Sequence, residues 1–227
     1  MIGINRAQYG RMVEMISLGL GTTLTAFGDA LDLQRRVHSE VAHGSRPPTL
    51  ILVEHEPVYT AGRRTRAIEY PQPPLTAVDV DRGGKITWHG PGQLVIYPIV
   101  PLPQPLDVIA YVRALEQSVI ETCANFGVTA QQVAGRSGVW HQPNPQISSP
   151  NKLCAIGVRV AQDTTLHGLA LNCNNDLTPF THITPCGISD AGVTTLSHAA
   201  GTTITPTMVS EPLTDRLVVN FKELGIH

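Results

Sequence analysis

Charge is scarce in this chain. Among 227 residues there are 16 Lys or Arg and 18 Asp or Glu, leaving a formal net charge of -2. So balanced a surface excludes electrostatic capture of nucleic acid or of an anionic membrane. Long apolar runs are missing too. The longest, such as Leu50 to Val53 and Leu94 to Val100, are far too short to span a bilayer. Met1 to Met15 carries Arg6 and Arg11 but no continuous apolar core, so no secretory signal is expected and the cytoplasm is the expected compartment. Of the four cysteines, Cys123, Cys154, Cys173 and Cys186, none sits in a C-x-x-C pair. That argues against a zinc ribbon or a thioredoxin-type site. The nine histidines show no metal-ligand spacing either, so no metal and no cofactor is expected. In a cytosolic chain the thiols should be free rather than bridged.

What is present is a globular composition, 42% apolar, in a chain long enough for one sizeable core. No internal repeat or linker divides it, so residues 1–227 are read as a single catalytic domain. Phe27, Ala30, Leu31, Gln34, Val37 and Val41 share one face of a helix expected over Thr25 to His43, with Gly44 as its stop. Thr49 to Val53 reads as a short buried strand, followed by a long polar loop through Arg66. Tyr70 to Pro74 reads as a proline-rich surface connection and Ala77 to Val80 as a strand. Lys85 to Trp88 and Leu94 to Ile99 read as strands flanking the turn His89-Gly90-Pro91-Gly92. Asp107 is the expected N-cap of a helix to Phe126, ended by Gly127. His141 to Pro150 is expected to be a loop. Leu153 to Val160 and Leu166 to Leu171 are expected to form a hairpin. Thr205 to Leu224 reads as helical, with Pro212 breaking or restarting it. Helices interspersed with hairpin-like strand pairs predict an α/β domain of the α+β type, with a mixed sheet and flanking helices.

Four constellations could carry chemistry. Asp81 to Gln93 combines paired glycines, which let backbone approach a ligand closely, with Arg82, Thr87, His89 and Gln93. A plain hairpin with a tight turn explains it equally well. The run lacks the Gly-Lys-Ser/Thr ending of a P-loop. Pro185-Cys186-Gly187 places a thiol in a turn, where a nearby cation could make it a nucleophile. The other three cysteines fit simple packing. Lys152 stands between a proline-rich loop and the strand Leu153-Cys154-Ala155-Ile156-Gly157. A solvated surface lysine is the default there, and a pocket lysine the sharper alternative. His167-Gly168-Leu169-Ala170-Leu171-Asn172 puts a histidine within a strand, more often a hydrogen-bonded structural residue than a catalyst. With His55 and His89 it raises a Cys/His hydrolase as a rival.

Taken in order, these runs resemble one family. Arg82-Gly83-Gly84-Lys85-Ile86-Thr87-Trp88-His89-Gly90-Pro91-Gly92-Gln93 closely resembles the signature of the octanoyl-acyl-carrier-protein:protein octanoyltransferases of lipoate biosynthesis. Glu54-His55-Glu56-Pro57-Val58-Tyr59-Thr60-Ala61-Gly62 is similar to an earlier motif of that family, and Lys152 with Ala155-Ile156-Gly157 to a third. His167 to Asn172 resembles a fourth, and Pro185-Cys186-Gly187 the nucleophile turn. The resemblance implies the fold of the biotin- and lipoate-protein ligase catalytic domain. It implies an acyl-thioester on Cys186, with Lys152 lowering the pKa of that thiol. It also implies an acyl pocket built from Arg82, Gly83, Gly84, Lys85, Ile86, Thr87, Trp88, His89, Ala155, Ile156, Gly157, Gly168, Leu169 and Ala170. Trp88 stands where many members have Tyr or Phe, a change expected to alter the pocket wall. The implied donor is octanoyl-acyl-carrier protein. The implied acceptors are lipoyl domains of 2-oxoacid dehydrogenase E2 subunits and the glycine cleavage H protein, and the implied state is a monomer. Rival readings on the same fold are an ATP-dependent ligase, an amidotransferase between lipoyl domains and a non-catalytic carrier-binding module.

Overall fold

A computed structural model describes residues 13–144, 149–183 and 191–226. Its main sheet is built around four antiparallel neighbours. β6 (Gln93–Ile99) pairs β10 (Thr164–Asn172), β10 pairs β9 (Asn151–Ala161), and β9 pairs β8 (Arg136–His141). β2 (Thr49–Val53) continues the sheet beyond β6, and β1 (Glu14–Ser17) runs parallel to β2. β7 (Gln131–Val133) closes the far edge against β8, and the short β11 (Gly192–Val193) runs parallel to β9. A second sheet holds β3 (Val58–Ala61) between β4 (Ala77–Asp79) and β5 (Thr87–His89). The mixed α/β architecture is the expected one. Among the described residues no helix is long and apolar enough to cross a membrane.

The central strands are buried on both faces, so they read as unbroken apolar runs rather than as alternation. On β2, Leu50 and Leu52 face one layer while Ile51 and Val53 face the other. The first layer holds α2 (Val108–Asn125) and α4 (Pro206–Glu223), whose Tyr111 and Phe221 rings stack at 5.7 Å. The second holds α1 (Phe27–Ala42), which buries Ala30, Val37 and Val41 against Val95, Tyr97 and Ala170. A short helix, α3 (Leu196–Ala200), precedes α4.

Local chemistry explains most boundaries. Asp107 caps α2, its carboxylate accepting from the Ala110 amide at 2.8 Å. The β9–β10 hairpin turns through Gln162 and Asp163, both at positive φ, as a two-residue turn matched to strand twist requires.

Three expectations are corrected. The loop after β2 contains a strand, β3, whose partners lie far along the chain and so leave no local signal. β5 and β6 do not pair with each other: the Gly90–Gly92 turn carries the chain from the small sheet to the large one. Pro212 neither breaks nor restarts α4, which is continuous; Val209, Leu213, Leu217 and Phe221 bury one face of it and hold the helix through the missing amide.

One contact fixes how closely β10 and its sheet neighbour β6 approach. A Cβ on Gly168 would lie 2.2 Å from the Ile96 carbonyl oxygen and 2.6 Å from Pro98 Cδ. In α1, Gly28 is exposed, with nothing within 4 Å of such a Cβ. Gly168→Ala should therefore destabilise the protein by about 2 kcal/mol or more through overpacking. Gly28→Ala should stabilise it by up to about 1 kcal/mol through helix propensity. Denaturant midpoints of the two variants check the pair, and the same sign for both would contradict it.

Candidate functional site

The small sheet lies across the main sheet where β9 and β10 carry their smallest residues. Gly168 sits opposite Gly157, and Ala170 opposite Ala155. The loop after β4 reaches down onto this strip, the Gly83 amide donating to the Val158 carbonyl at 2.9 Å. Between them lies a cavity of about 250 Å³, below the roughly 300 Å³ at which pockets for drug-sized ligands begin. Phe27, Val95, Tyr97, Ala155, Ile156, Leu169 and Ala170 make its apolar wall. Arg64, Arg82, Lys85, Arg136 and Lys152 are its charged lining, with no carboxylate among the described residues.

The polar side of the cavity is a connected hydrogen-bond chain. Arg82 Nη2 donates to the Thr60 carbonyl at 2.8 Å and to Thr60 Oγ1 at 2.9 Å. Thr60 Oγ1 donates to His89 Nε2 at 3.2 Å, and His89 Nδ1 donates to Gln93 Oε1 at 2.8 Å. Gln93 Nε2 donates to the Trp88 carbonyl and, at 2.9 Å, to Asn172 Oδ1. Asn172 Nδ2 donates in turn to the Thr194 carbonyl, and the Thr194 amide donates to the carbonyl of Lys152. With Arg82 fixed as a donor, this order sets His89 in its neutral Nδ1–H form.

Burial acts on all three histidines here. It pushes His89 down to about 3, helped by the positive charge of Arg82. It pushes His55 down to about 4, against the hydrogen bond that His55 Nδ1 donates to the Thr25 carbonyl. His55 Nε2 accepts from the Tyr97 hydroxyl at 2.7 Å. His167 also falls to about 4 through burial and the guanidinium groups of Arg82, Arg159 and Arg35, in spite of the Asp81 carboxylate 2.7 Å from its Nε2. Arg159 shares that carboxylate. The three histidines are thus neutral and hydrogen-bonded, and two of them, His89 and His167, line the cavity.

The residues singled out from the sequence separate into two sets. Arg82, Gly84, Lys85, Thr87, His89, Lys152, Ala155, Ile156, Gly157, Gly168, Leu169 and Ala170 all line the cavity. Gly83, Ile86 and Trp88 do not, which corrects the expected pocket. Strand alternation turns Thr87 and His89 toward the cavity and sends Ile86 and Trp88 to the other face. There they pack with Tyr59, Phe180 and Ile183, the Trp88 and Phe180 rings meeting edge-on at 5.7 Å. Trp88 therefore braces the segment leading toward residue 186 and forms no part of the cavity wall. Cys186 itself lies outside the described residues. Lys152 is 93% buried, its ammonium 4.5 Å from the centre of the Trp140 ring. Cys123, Cys154 and Cys173 are all buried, and burial raises each thiol, Cys123 to about 12. None of those three is a reactive thiolate.

Several lining residues escaped the sequence reading. Tyr97 and Val95 look like ordinary core positions of β6. Arg64 and Arg136 look like solvated loop charges, and only their spacing from Gly84 and Lys152 in the fold reveals them. Glu54 was quoted only as part of a motif. It ties two segments together, accepting from the Gly21 and Gly92 amides at 2.9 Å each.

The chain's likenesses agree with this geometry. Residues 27–218 match the model of the lipoyl protein ligase A/B catalytic domain. A protein of Clavibacter sepedonicus named octanoyltransferase is 50% identical over 209 residues, covering 91% of this chain and 90% of that protein. An octanoyltransferase of Mycobacterium tuberculosis is 57% identical over 177 residues, 78% of this chain and 74% of that one. A bipartite lipoate protein ligase of Thermoplasma acidophilum superposes with a TM-score of 0.63 at 13% identity, covering 95% of this chain and 83% of that chain, and so shares the fold.

Unfolded histidines hold protons below about pH 6.5 that His55, His89 and His167 refuse in the fold until about pH 3 to 4. The stability they contribute is complete above pH 6.5 and is lost as pH falls toward 4, with up to about three protons taken up on unfolding near pH 5. Ring NMR at pH 5.5 should show these three imidazoles neutral in the folded protein, while the denaturant midpoint drops between pH 7 and pH 4.5. Three protonated rings at pH 5.5 would contradict the buried, neutral assignment.

Proposed function

The chain belongs to the lipoyl protein ligase A/B catalytic-domain family and is an acyltransferase, and within that family we propose that it carries an octanoyl group on Cys186 from octanoyl-acyl-carrier protein to a lysine of a lipoyl domain. The carrying observation is Lys152: a buried ammonium on the rim of a small cavity whose wall is apolar and whose charged lining is wholly cationic. Cys186 is not among the described residues, but Val193, later in the chain, is the register partner of Lys152.

The chemistry follows from proton bookkeeping. A Cys186 thiolate paired with the Lys152 ammonium attacks the donor thioester carbon. The bond to the carrier sulfur breaks, and the departing thiolate takes a proton from Lys152. One thioester replaces another of similar energy, so this transfer needs no nucleotide. The acceptor lysine, with an ordinary pKa of about 10.4, arrives protonated near neutrality. Lys152, now neutral, removes one proton and frees the amine to attack the acyl-enzyme. As the amide forms, Cys186 leaves as thiolate beside the Lys152 ammonium, and a second proton passes to solvent. Thioester to amide is downhill. The acyl chain lies against Ala155, Gly157, Gly168 and Ala170, where the strands expose almost no side chain. The acceptors that this reading favours are lipoyl domains of 2-oxoacid dehydrogenases and the glycine cleavage H protein.

Intact-mass spectrometry after mixing with octanoyl-carrier protein should show an octanoyl adduct on the native chain and on Cys154→Ser, and none on Cys186→Ala. A full adduct on Cys186→Ala would remove the assignment. Product formation from free octanoate that requires ATP would instead support a ligase. Lys152→Ala should raise the pH needed for alkylation of Cys186 and lower the transfer rate by on the order of a hundredfold or more, the usual worth of a general acid–base group. An unchanged profile would remove Lys152 from both roles.

The cavity also sets a length limit. Replacing Ala170 by Leu adds bulk to the cavity wall and should favour shorter acyl chains over octanoyl by roughly tenfold or more, the worth of a few displaced methylenes. Competition between hexanoyl and octanoyl donors measures it, and an unaltered preference would place the chain elsewhere.

A further inference from the structure

We propose that Trp140 is a positioning residue for Lys152, its indole face holding the ammonium at the rim of the acyl cavity. Three observations carry this. First, the ladder between β8 and β9 slips by one residue: Val139 pairs with Cys154, but Trp140 pairs with Lys152, leaving Leu153 as a bulge. A bulge re-aims the side chains beside it, and here it sets Lys152 directly opposite Trp140 as a cross-strand neighbour. Second, the Lys152 Nζ stands 4.5 Å from the ring centre and the Arg136 guanidinium carbon 5.8 Å. Both lie within the roughly 6 Å at which a ring face attracts a cation. One ring therefore serves two of the cations that line the cavity. Third, Trp140 is 1% exposed, and its indole N–H has no hydrogen-bond partner. Leaving a buried donor unmet costs stability, and Phe or Leu would fill a core position without that cost. A large, electron-rich face is what the smaller side chains lack. Gly138, two residues before Trp140, adds room: a Cβ there would come within 3.5 Å of Lys152 Cε.

This inference rests on the role proposed for Lys152, and the test separates the two. Trp140→Phe and Trp140→Leu are compared with the native chain for octanoyl transfer, for the pH profile of Cys186 alkylation, and for unfolding midpoint. Rates should fall in the order Trp, Phe, Leu, by roughly three- to thirtyfold at the Leu end, with KM changed by less than about twofold. The alkylation profile should move up by as much as about one pH unit. Fluorinated tryptophans, incorporated in a Trp88→Phe background, keep the shape of the ring while draining its face. Rate and profile should then track the fluorine count. They also decide the matter if the Leu variant does not fold. A flat fluorine series, or a loss that follows only the unfolding midpoint, overturns the proposal. If that series is flat while Lys152→Ala abolishes transfer, only the role of Trp140 has failed. If Lys152→Ala leaves rate and profile unchanged, the reading of Lys152 fails, and the positioning role fails with it.

Discussion

The hydrogen-bond chain that runs from Arg82 through Thr60, His89, Gln93 and Asn172 to Thr194 joins the small sheet to the large one, and the cavity exists because of that joint. Thr60 belongs to β3 and His89 to β5. Gln93 begins β6, Asn172 ends β10, and Thr194 follows β11. Every member is buried. Inside a protein such a chain is secure only when complete, because each unmet donor or acceptor carries its full desolvation cost. Completeness also fixes geometry. Thr60 can serve His89 in only one ring orientation, and Gln93 can serve both His89 and Asn172 only with its amide turned one way. The sheets are therefore held at a set spacing, and the space left between them is lined by Thr87, His89 and the small residues of β9 and β10.

Neutral histidine is the condition for this. A protonated His89 would present a donor to Thr60 Oγ1, which already accepts from Arg82, and would set a second positive charge beside that guanidinium. Burial opposes that charge before it forms. The same holds at His55, whose ring joins the Thr25 carbonyl to the Tyr97 hydroxyl. The imidazoles around the cavity thus stay uncharged, and the cations among its described lining residues are lysine and arginine.

Legibility in the sequence followed the range of the interactions. The cap at Asp107, the apolar face of α2 and the hairpin of β9 and β10 are local, and local patterns declared them, though not the two residues at which the hairpin turns. β3 is not local: its partners, β4 and β5, come from later in the chain, so a short strand after a proline looked like loop. The run from Lys85 to Ile99 read as two strands flanking a tight turn, with a plain hairpin as one of two readings, because such a run looks alike whether the strands pair or part. Most cavity residues came from motifs that resemble one family, and by residue type alone only the glycine-rich run from Asp81 to Gln93 and the histidine and glycine of β10 stood out. Trp88 was placed on the wrong side, since alternation fixes faces relative to one another but not to a cavity the sequence does not show. Trp140 was silent, as an aromatic residue in a strand is the commonest kind of core residue.

The cationic lining constrains the chemistry in a way that neither the fold nor the thiol does alone. A fold shared with ATP-dependent ligases leaves the reaction open, because function resides in the site grafted onto it. Among the described residues the lining holds five cations and no carboxylate, with Glu69 paired to Lys85 beside it, and such a lining suits an anion or a polarised carbonyl better than an ammonium. On the proposed reading an acceptor lysine, arriving as the ammonium, must lose its proton there before it attacks. On the proposed chemistry the first half-reaction leaves Lys152 neutral, which lowers the positive charge at the rim at the moment the acceptor must approach. The group that removes the acceptor's proton is then the same group whose charge would have excluded it. A ring face attracts that nitrogen while it is an ammonium, without the full negative charge of a carboxylate, which would oppose the loss of the proton.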